Sequence, residues 1–257
     1  MTQKAKKYNA PALEKGLDII ELLASQKNLM TISDISNVLD RSKSEIFRMI
    51  TTLEEREYIE RPNGNDSYTL TNKIFELGMQ SAPTSNLLEI AMPEMQSLAT
   101  EIRQSCHLAI LNKYNAVVIS RIENPASIGF SVRAGHTTLA NKSGSGVVLL
   151  SDIKPPHFNR IINNIKKFDD DYDEEKLTAH IKLIKENGYI ALQSYLIENI
   201  VDISSPITRG VGGEIIACLS VPYTLNKNTP IKIEDIAKIV VEYTQKISAL
   251  IPQNVTT

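Results

Sequence analysis

Apolar positions recur at three- and four-residue steps along some stretches of the chain and alternate with polar ones along others. The two periods separate helices from strands. Leu13, Leu17, Ile20 and Leu23 or Ala24 form a stripe behind Pro11, which predicts a helix over residues 12–25. Thr31 stands three residues before Asp34, and Ser42 three before Glu45. The second pair reads as a capping box, in which hydroxyl and carboxylate each take the other residue's amide. These signals predict a short helix over 32–39, a tight turn at Asp40-Arg41 and a longer helix over 43–56. Ile46, Met49, Ile50 and Leu53 turn the longer helix toward a core. Two helices joined by so short a turn form a helix-turn-helix. Residues 58–61 and 68–70 then alternate around a Pro-, Asn- and Gly-rich turn, which predicts a β-hairpin, and a hairpin in this place is a wing. Thr71 is placed to cap a helix over 72–80 carrying Ile74, Phe75 and Leu77.

Beyond a small, Pro-containing stretch at 81–85, the best domain boundary, an apolar stripe runs through Leu88, Ala91, Met92, Met95, Leu98 and Ile102. Pro93 interrupts it, so the helix is expected to kink or restart there. Strands are predicted over 107–112, 116–122 and 128–133, with gaps short enough for antiparallel neighbours. Residues 142–146, KSGSG, read as a small-residue loop opening into a short helix at 147–150. Residues 154–173, with Pro155-Pro156 and Asp169-Asp170-Asp171, read as an irregular solvated loop. A charged amphipathic helix over 174–187, on Leu177, Ile181 and Ile184, is ended by Gly188. Strands over 200–207 and 214–222 and a last helix over 233–250 complete the chain. The fold class is therefore α+β. A winged helix-turn-helix over 1–80 precedes a linker helix region over 81–103 and a domain over 104–257. In that domain helices pack on one mostly antiparallel sheet, which leaves a pocket between sheet and loops.

Composition narrows the function. Across 257 residues the net charge is −2, and residues 1–80 carry eleven Lys and Arg against twelve Asp and Glu. That balance argues against indiscriminate coating of nucleic acid and points to a reader whose few positive groups are focused. Lys4, Lys6 and Lys7 form a basic arm of no evident duty. No apolar run approaches the roughly 20 residues that span a bilayer, and the N-terminal stretch lacks an apolar leader core, so a cytoplasmic protein without membrane contact is expected. Two cysteines do not make a disulfide framework. Phosphate-loop, dinucleotide and zinc-protease motifs are all missing from the sequence, which argues against an enzyme and implies no cofactor.

The predicted second helix of the motif has an outer face of Ser44, Phe47, Arg48 and Thr51, with Lys43 at its amino end. Arg48 suits guanine or a phosphate, while Ser44 and Thr51 are neutral hydrogen-bonders. Phe47 either touches a thymine methyl or tucks against the first helix. Arg41 lies beside the helix, and Arg61 on the wing suits phosphate or minor-groove contact. With the helix starts Thr31 and Ser42, these make the candidate set for double-stranded DNA.

The chain resembles the IclR family of bacterial transcriptional regulators along nearly its whole length. The resemblance rests on KGLDIIELL, TISDIS, KSEIFRMITTLEEREYIER and YTLTNKIFELG, then on FSVRAG, KSGSGVVLLS, ISSPI and ACLSVP. It implies an N-terminal winged helix and a C-terminal GAF-like effector domain, a homodimer or dimer of dimers, a palindromic operator and a small organic effector. Carried over by motif, the effector positions are Ser143, Gly144, Ser145 and Gly146 on the loop, Asp202 and Ser204 on the ISSPI strand, and Ser220 on the last strand. Asp202 repels an anion unless it takes a ligand hydroxyl or amine. The chain departs from the family pattern at Asn199, where glycine is common, and at the residues opening the KSGSG loop.

Cys106 and His107 are adjacent on a predicted strand and so point to opposite faces, a poor arrangement for one metal ion; no metal site is expected. His107 is either a pocket residue or a hydrogen-bonded structural histidine, and Cys218 either a pocket contact or a small buried hydrophobe. Arg133 either braces a sheet edge or attracts an anion. A rival reading is a small-molecule sensor or enzyme whose winged helix only contacts proteins.

Overall fold

A computed structural model describes residues 10–26, 28–79, 82–125, 129–195, 197–224 and 232–252. The basic arm and Ile128 lie outside them. The chain divides into two units, Met1–Ser85 and Asn86–Thr257.

In the first unit, helices α1 (Pro11–Ser25), α2 (Ile32–Val38), α3 (Lys43–Glu55) and α4 (Lys73–Met79) accompany strands β1 (Met30–Thr31), β2 (Ile59–Glu60) and β3 (Ser67–Leu70). Both capping boxes are formed, Thr31 with Asp34 and Ser42 with Glu45. Ile19, Leu23, Ile35, Ile46, Ile50, Leu53, Ile59 and Tyr68 make the core. The α1 stripe is buried only toward its end: Leu13 and Leu17 are 63% and 46% exposed. The small sheet has the order β1-β3-β2. Strand β1 is two residues long and has no period to read. It pairs Met30 with Tyr68 and fastens the start of α2 to the wing.

Helix α5 (Ala82–Ile102) begins just before the boundary and continues into the second unit, which also holds β4 (Cys106–Asn112), β5 (Asn115–Ile122), β6 (Thr137–Leu139), α6 (Gly144–Leu150), α7 (His157–Ile165), α8 (Glu174–Asn187), β7 (Ile190–Gln193), β8 (Ile200–Thr208), β9 (Ile215–Thr224) and α9 (Ile233–Leu250). The sheet order is β6-β5-β4-β9-β8-β7, with every pair antiparallel. Alternation along each strand sorts two cores. Cys106, Leu108, Ile203, Leu219 and Val221 face α5 and α9; Ala109 and Cys218 face the side of α6, α7 and α8.

Four sequence expectations change. Helix α5 passes through Pro83 and Pro93 without a new start. Pro83 sits in the first turn, where no intrahelical N–H is needed, and burial of Leu87, Ala91, Met95, Leu98 and Ile102 outweighs the bond lost at Pro93. Residues 129–133 form no strand; the free edge of β5 is taken instead by β6, pairing Ala116 with Thr138. Residues 142–146 are not a loop, because Ser143 caps α6 and Gly144, Ser145 and Gly146 are its first turn. Residues 154–173 contain α7, whose Ile161, Ile162 and Ile165 are buried. Within the same stretch Asp169 is buried and paired with Lys142 at 2.6 Å. Asn199 has φ +62°, a left-handed conformation that asparagine tolerates better than most residues; this accounts for its standing in a glycine position.

Candidate functional site

Two sites emerge, one in each unit. The first is the outer face of α3. Ser42 caps it, accepting from the Glu45 amide and donating to the Glu45 carboxylate at 2.9 Å. Lys15 of α1 also holds Glu45, and these bonds, Lys15 foremost, pull its carboxyl down to about 2. The start of α3 is thus tied to α1, while Lys43, Ser44, Phe47 and Arg48 stand exposed in sequence around it. Phe47 is 57% exposed, so it does not tuck against the first helix of the motif. Thr51 donates its hydroxyl to the Phe47 carbonyl at 2.9 Å and is only partly exposed.

The remaining candidates in this unit are engaged within it. Thr31 caps α2 and donates to Asp34 at 2.7 Å. Arg41 pairs with Asp18 at 2.9 Å, and Arg61 with Glu54 at 2.8 Å while lying over the Tyr68 ring. Lys43 and Arg48 carry no ion pair among the described residues, so they are the cations of this face that are free for phosphate or base.

The second site is a cavity on the α6 side of the large sheet. His107 on β4, Ser220 on β9 and Ser204 on β8 stand directly opposite one another and form a polar row across three strands. Asp202 lies two residues along β8, hence on the same face. Ser143 and Ser145 come down from α6, and Ser194, Tyr195, His136, Thr138, Ala116, Val118 and Val132 close the cavity. Its volume is about 20 Å³, little more than one water occupies. Ser204 and Ser220 hydroxyls are 2.7 Å apart, Ser143 and Ser145 hydroxyls 3.2 Å, and His136 Nε2 meets the Tyr195 hydroxyl at 3.1 Å.

Burial disfavours the charged form of two ionisable groups in this cavity. Burial, and secondly the nearby His136, pull His107 down to about 4, so its imidazole is uncharged at neutral pH. Its Nδ1 is buried without a hydrogen-bond partner. Burial pushes Asp202 up to about 6, against the hydroxyl of Ser194, which favours the ionised form.

Gly144 and Gly146 are buried in the first turn of α6. A Cβ on Gly144 would lie 2.7 Å from Ser204 Oγ, and one on Gly146 would lie 2.1 Å from the Ala140 carbonyl oxygen, so both glycines let α6 pack closely. Gly146 N–H is already taken by Ser143 Oγ. Cys218 sits deeper, 3.5 Å from Ser220, in the core rather than on the cavity wall. Burial pushes both Cys106 and Cys218 up to about 12, which leaves them unreactive. Arg133 is exposed. Among the described residues no three His, Cys, Asp or Glu converge as a metal site, and no helix is long and apolar enough to cross a membrane. Sequence reasoning missed His136, Thr138, Ser194 and Tyr195, which reach the cavity from sheet-edge segments that carry no periodic signal.

A winged helix with an exposed polar recognition face, followed by a unit with a polar cavity above an antiparallel sheet, defines a DNA-reading unit joined to a ligand-sensing unit. The IclR helix-turn-helix domain model matches residues 12–62, and the model of the bacterial transcriptional regulator IclR C-terminal domain matches residues 79–249. The chain belongs to the IclR family of bacterial transcriptional regulators. KdgR of Escherichia coli is 23% identical over 239 residues, covering 91% of this chain and 90% of that protein. KdgR of Dickeya chrysanthemi is 24% identical over 179 residues, a match spanning 68% of this chain but only 58% of the relative's length. The repressor AllR of Escherichia coli is 24% identical over 216 residues, 82% of this chain and 79% of that one. These relatives are transcriptional regulators, not enzymes. An IclR homologue from Microbacterium hydrocarbonoxydans, solved with 4-hydroxybenzoate, shares the fold with TM-score 0.77 at 20% identity, over 92% of this chain and 97% of that one. Thermotoga maritima IclR does so with TM-score 0.71 at 20% identity, over 92% and 96%.

Proposed function

We propose that this chain is a ligand-responsive repressor of a catabolic operon. It acts in the cytoplasm as a homodimer or dimer of dimers on a palindromic operator, with a small organic acid or sugar-derived compound as effector. In this reading residues 1–80 read DNA, 81–103 link, and 104–257 form the GAF-like effector domain. The observation that carries it is the pairing of an exposed recognition face, with Lys43 and Arg48 unpaired, with a polar cavity in the other unit. The exposed Leu13 and Leu17 on α1 suit a second copy of the chain. A near-neutral reading unit needs that doubling, since each copy brings few free cations.

The cavity volume of about 20 Å³ supports an allosteric role. An organic effector needs several times that room, so its binding requires the lining to move. A ligand can shift an equilibrium only by binding two conformations differently, and a cavity that must open supplies that difference.

The test is an anisotropy titration of the protein against its own upstream DNA and random DNA at several salt concentrations. Preference for the upstream fragment that persists as salt rises is expected. Equal affinity for both would favour the rival reading, in which the winged helix contacts protein.

A further inference from the structure

We propose that the effector cavity recognises a polyhydroxylated carbon chain through two of its hydroxyls, one held by the Asp202 carboxylate and one by His107 Nδ1. The proposal rests on the cavity being the effector site and names the chemistry it selects.

Three observations converge. His107 is 5% exposed, lines the cavity, and its Nδ1 has no hydrogen-bond partner. A buried ring nitrogen left unmatched costs free energy that a ligand hydroxyl removes, and in the neutral ring this nitrogen either donates or accepts according to tautomer. Asp202 faces the same space with a hydroxyl neighbour, Ser194, and a carboxylate has room for about four donors. Lastly, no Lys or Arg lies among the described residues of the lining. Arg121 stands opposite His107 in register, but Glu123 holds it at 2.6 Å and it does not reach the cavity.

These features sort ligand classes. A carboxylate placed among these groups meets the Asp202 carboxylate without a compensating cation. To a flat aromatic ring the described lining offers Ala116, Val118, Val132 and the Tyr195 ring, outnumbered by polar side chains. A chain of hydroxyls meets donors and acceptors along its length. Ser204 and Ser220 already bond each other, so they keep spare capacity for such a chain without depending on it.

The spacing agrees. His107 and Asp202 are two strands apart and offset by two residues, which places their backbones about 12 Å apart. A chain of roughly four to six carbons with a hydrogen bond at each end bridges a gap of that order. Such a chain occurs in neutral polyols and in sugar acids, whose carboxylate would then lie at the cavity mouth.

Thermal shift and calorimetric titration of the full chain, with xylitol and gluconate set against benzoate, 4-hydroxybenzoate and pyruvate, decide the matter. Binding of xylitol, gluconate or both is expected; xylitol alone identifies the neutral source, and gluconate alone the acid. Asp202→Asn keeps the shape and should weaken that binding by about tenfold or more, since a bond to a charged group is lost. Should that variant fail to melt cooperatively, His107→Gln serves with the same expectation. Binding confined to the aromatic acids or pyruvate overturns the proposal, as does binding of none of the probes or undiminished polyol binding in the variant. Anisotropy on the operator separates the two levels. Specific operator binding released by 4-hydroxybenzoate or pyruvate keeps the regulator and discards the polyol, whereas polyol binding with no operator preference does the reverse.

Discussion

Helices α3 and α6 begin in the same way and end in opposite surroundings. Each is capped by a serine whose hydroxyl accepts from the amide three residues on, Ser42 from Glu45 and Ser143 from Gly146. Yet Lys43, Ser44, Phe47 and Arg48 of α3 stand in solvent, while all seven residues of α6 are buried. A cap fixes where a helix starts; the residues behind it fix how deep the helix lies. After Ser42 the chain alternates charge with an apolar stripe, which buries one face and offers the other. After Ser143 it is small and then wholly apolar, so the helix sinks and leaves only Ser143 and Ser145 at the cavity. The polar groups of α3 are matched by water. Those around α6 must be matched by protein or have their charged form disfavoured, as burial does for His107 and Asp202.

The sharpest break of this comparison is Gly146→Ala. Its methyl would meet the Ala140 carbonyl at 2.1 Å, and a loss of roughly 3 kcal/mol or more is expected. The chain has no tryptophan, so urea unfolding followed by circular dichroism is the measurement. Ser44→Ala on α3, exposed, should cost less than about 0.5 kcal/mol. A Gly146→Ala protein as stable as the parent would refute the close packing of α6.

Acid comes next. His107 falls from 6.5 to about 4 on folding, so the unfolded chain binds the extra proton between these values. Its contribution is whole above pH 6.5 and is lost toward pH 4, at most about 3 kcal/mol. Asp202 rises from 3.8 to about 6, so the folded chain keeps a proton the unfolded one releases, and stability falls as pH rises through that window. The two slopes oppose each other. Asp202→Asn should therefore steepen the loss of melting temperature between pH 6 and 4, and His107→Gln should reverse its sign. Parallel profiles in both variants would count against these assignments.

Arg48→Ala tests the exposed side. Operator affinity should drop about ten- to a hundredfold, or about 1–3 kcal/mol, with melting unchanged. An equal drop on random DNA would mean that Arg48 clamps a phosphate and reads no base. The caps compare the two helix starts directly. Ser42→Ala should cost about 1 kcal/mol. Ser143→Ala should cost more, up to about 3 kcal/mol, because it leaves the Gly146 amide unmatched inside the protein. Equal costs in urea titrations would show that burial adds nothing to a cap.

Local chemistry set much of this molecule in advance. Capping residues and apolar periods are properties of a few neighbouring residues, and so α2, α3, the wing, α8 and α9 stand within a residue or two of where the pattern puts them. The stripe Phe158, Ile161, Ile162 and Ile165 carried α7 in the same language, masked by the prolines before it. What sequence could not give is whatever depends on a distant partner. Arg41 and Arg61 look free in the chain and are claimed by Asp18 and Glu54 only in space. The strand at the sheet edge is β6 rather than 129–133 because pairing with β5, not alternation, decides it. Helix α5 survives Pro93 because the sheet buries its stripe. The cavity draws His136 and Tyr195 from loops far apart, and the charge states of His107 and Asp202 arise chiefly from burial. Period and capping act over one helical turn and can be read along the chain; burial and pairing are sums over neighbours that only the folded chain brings together.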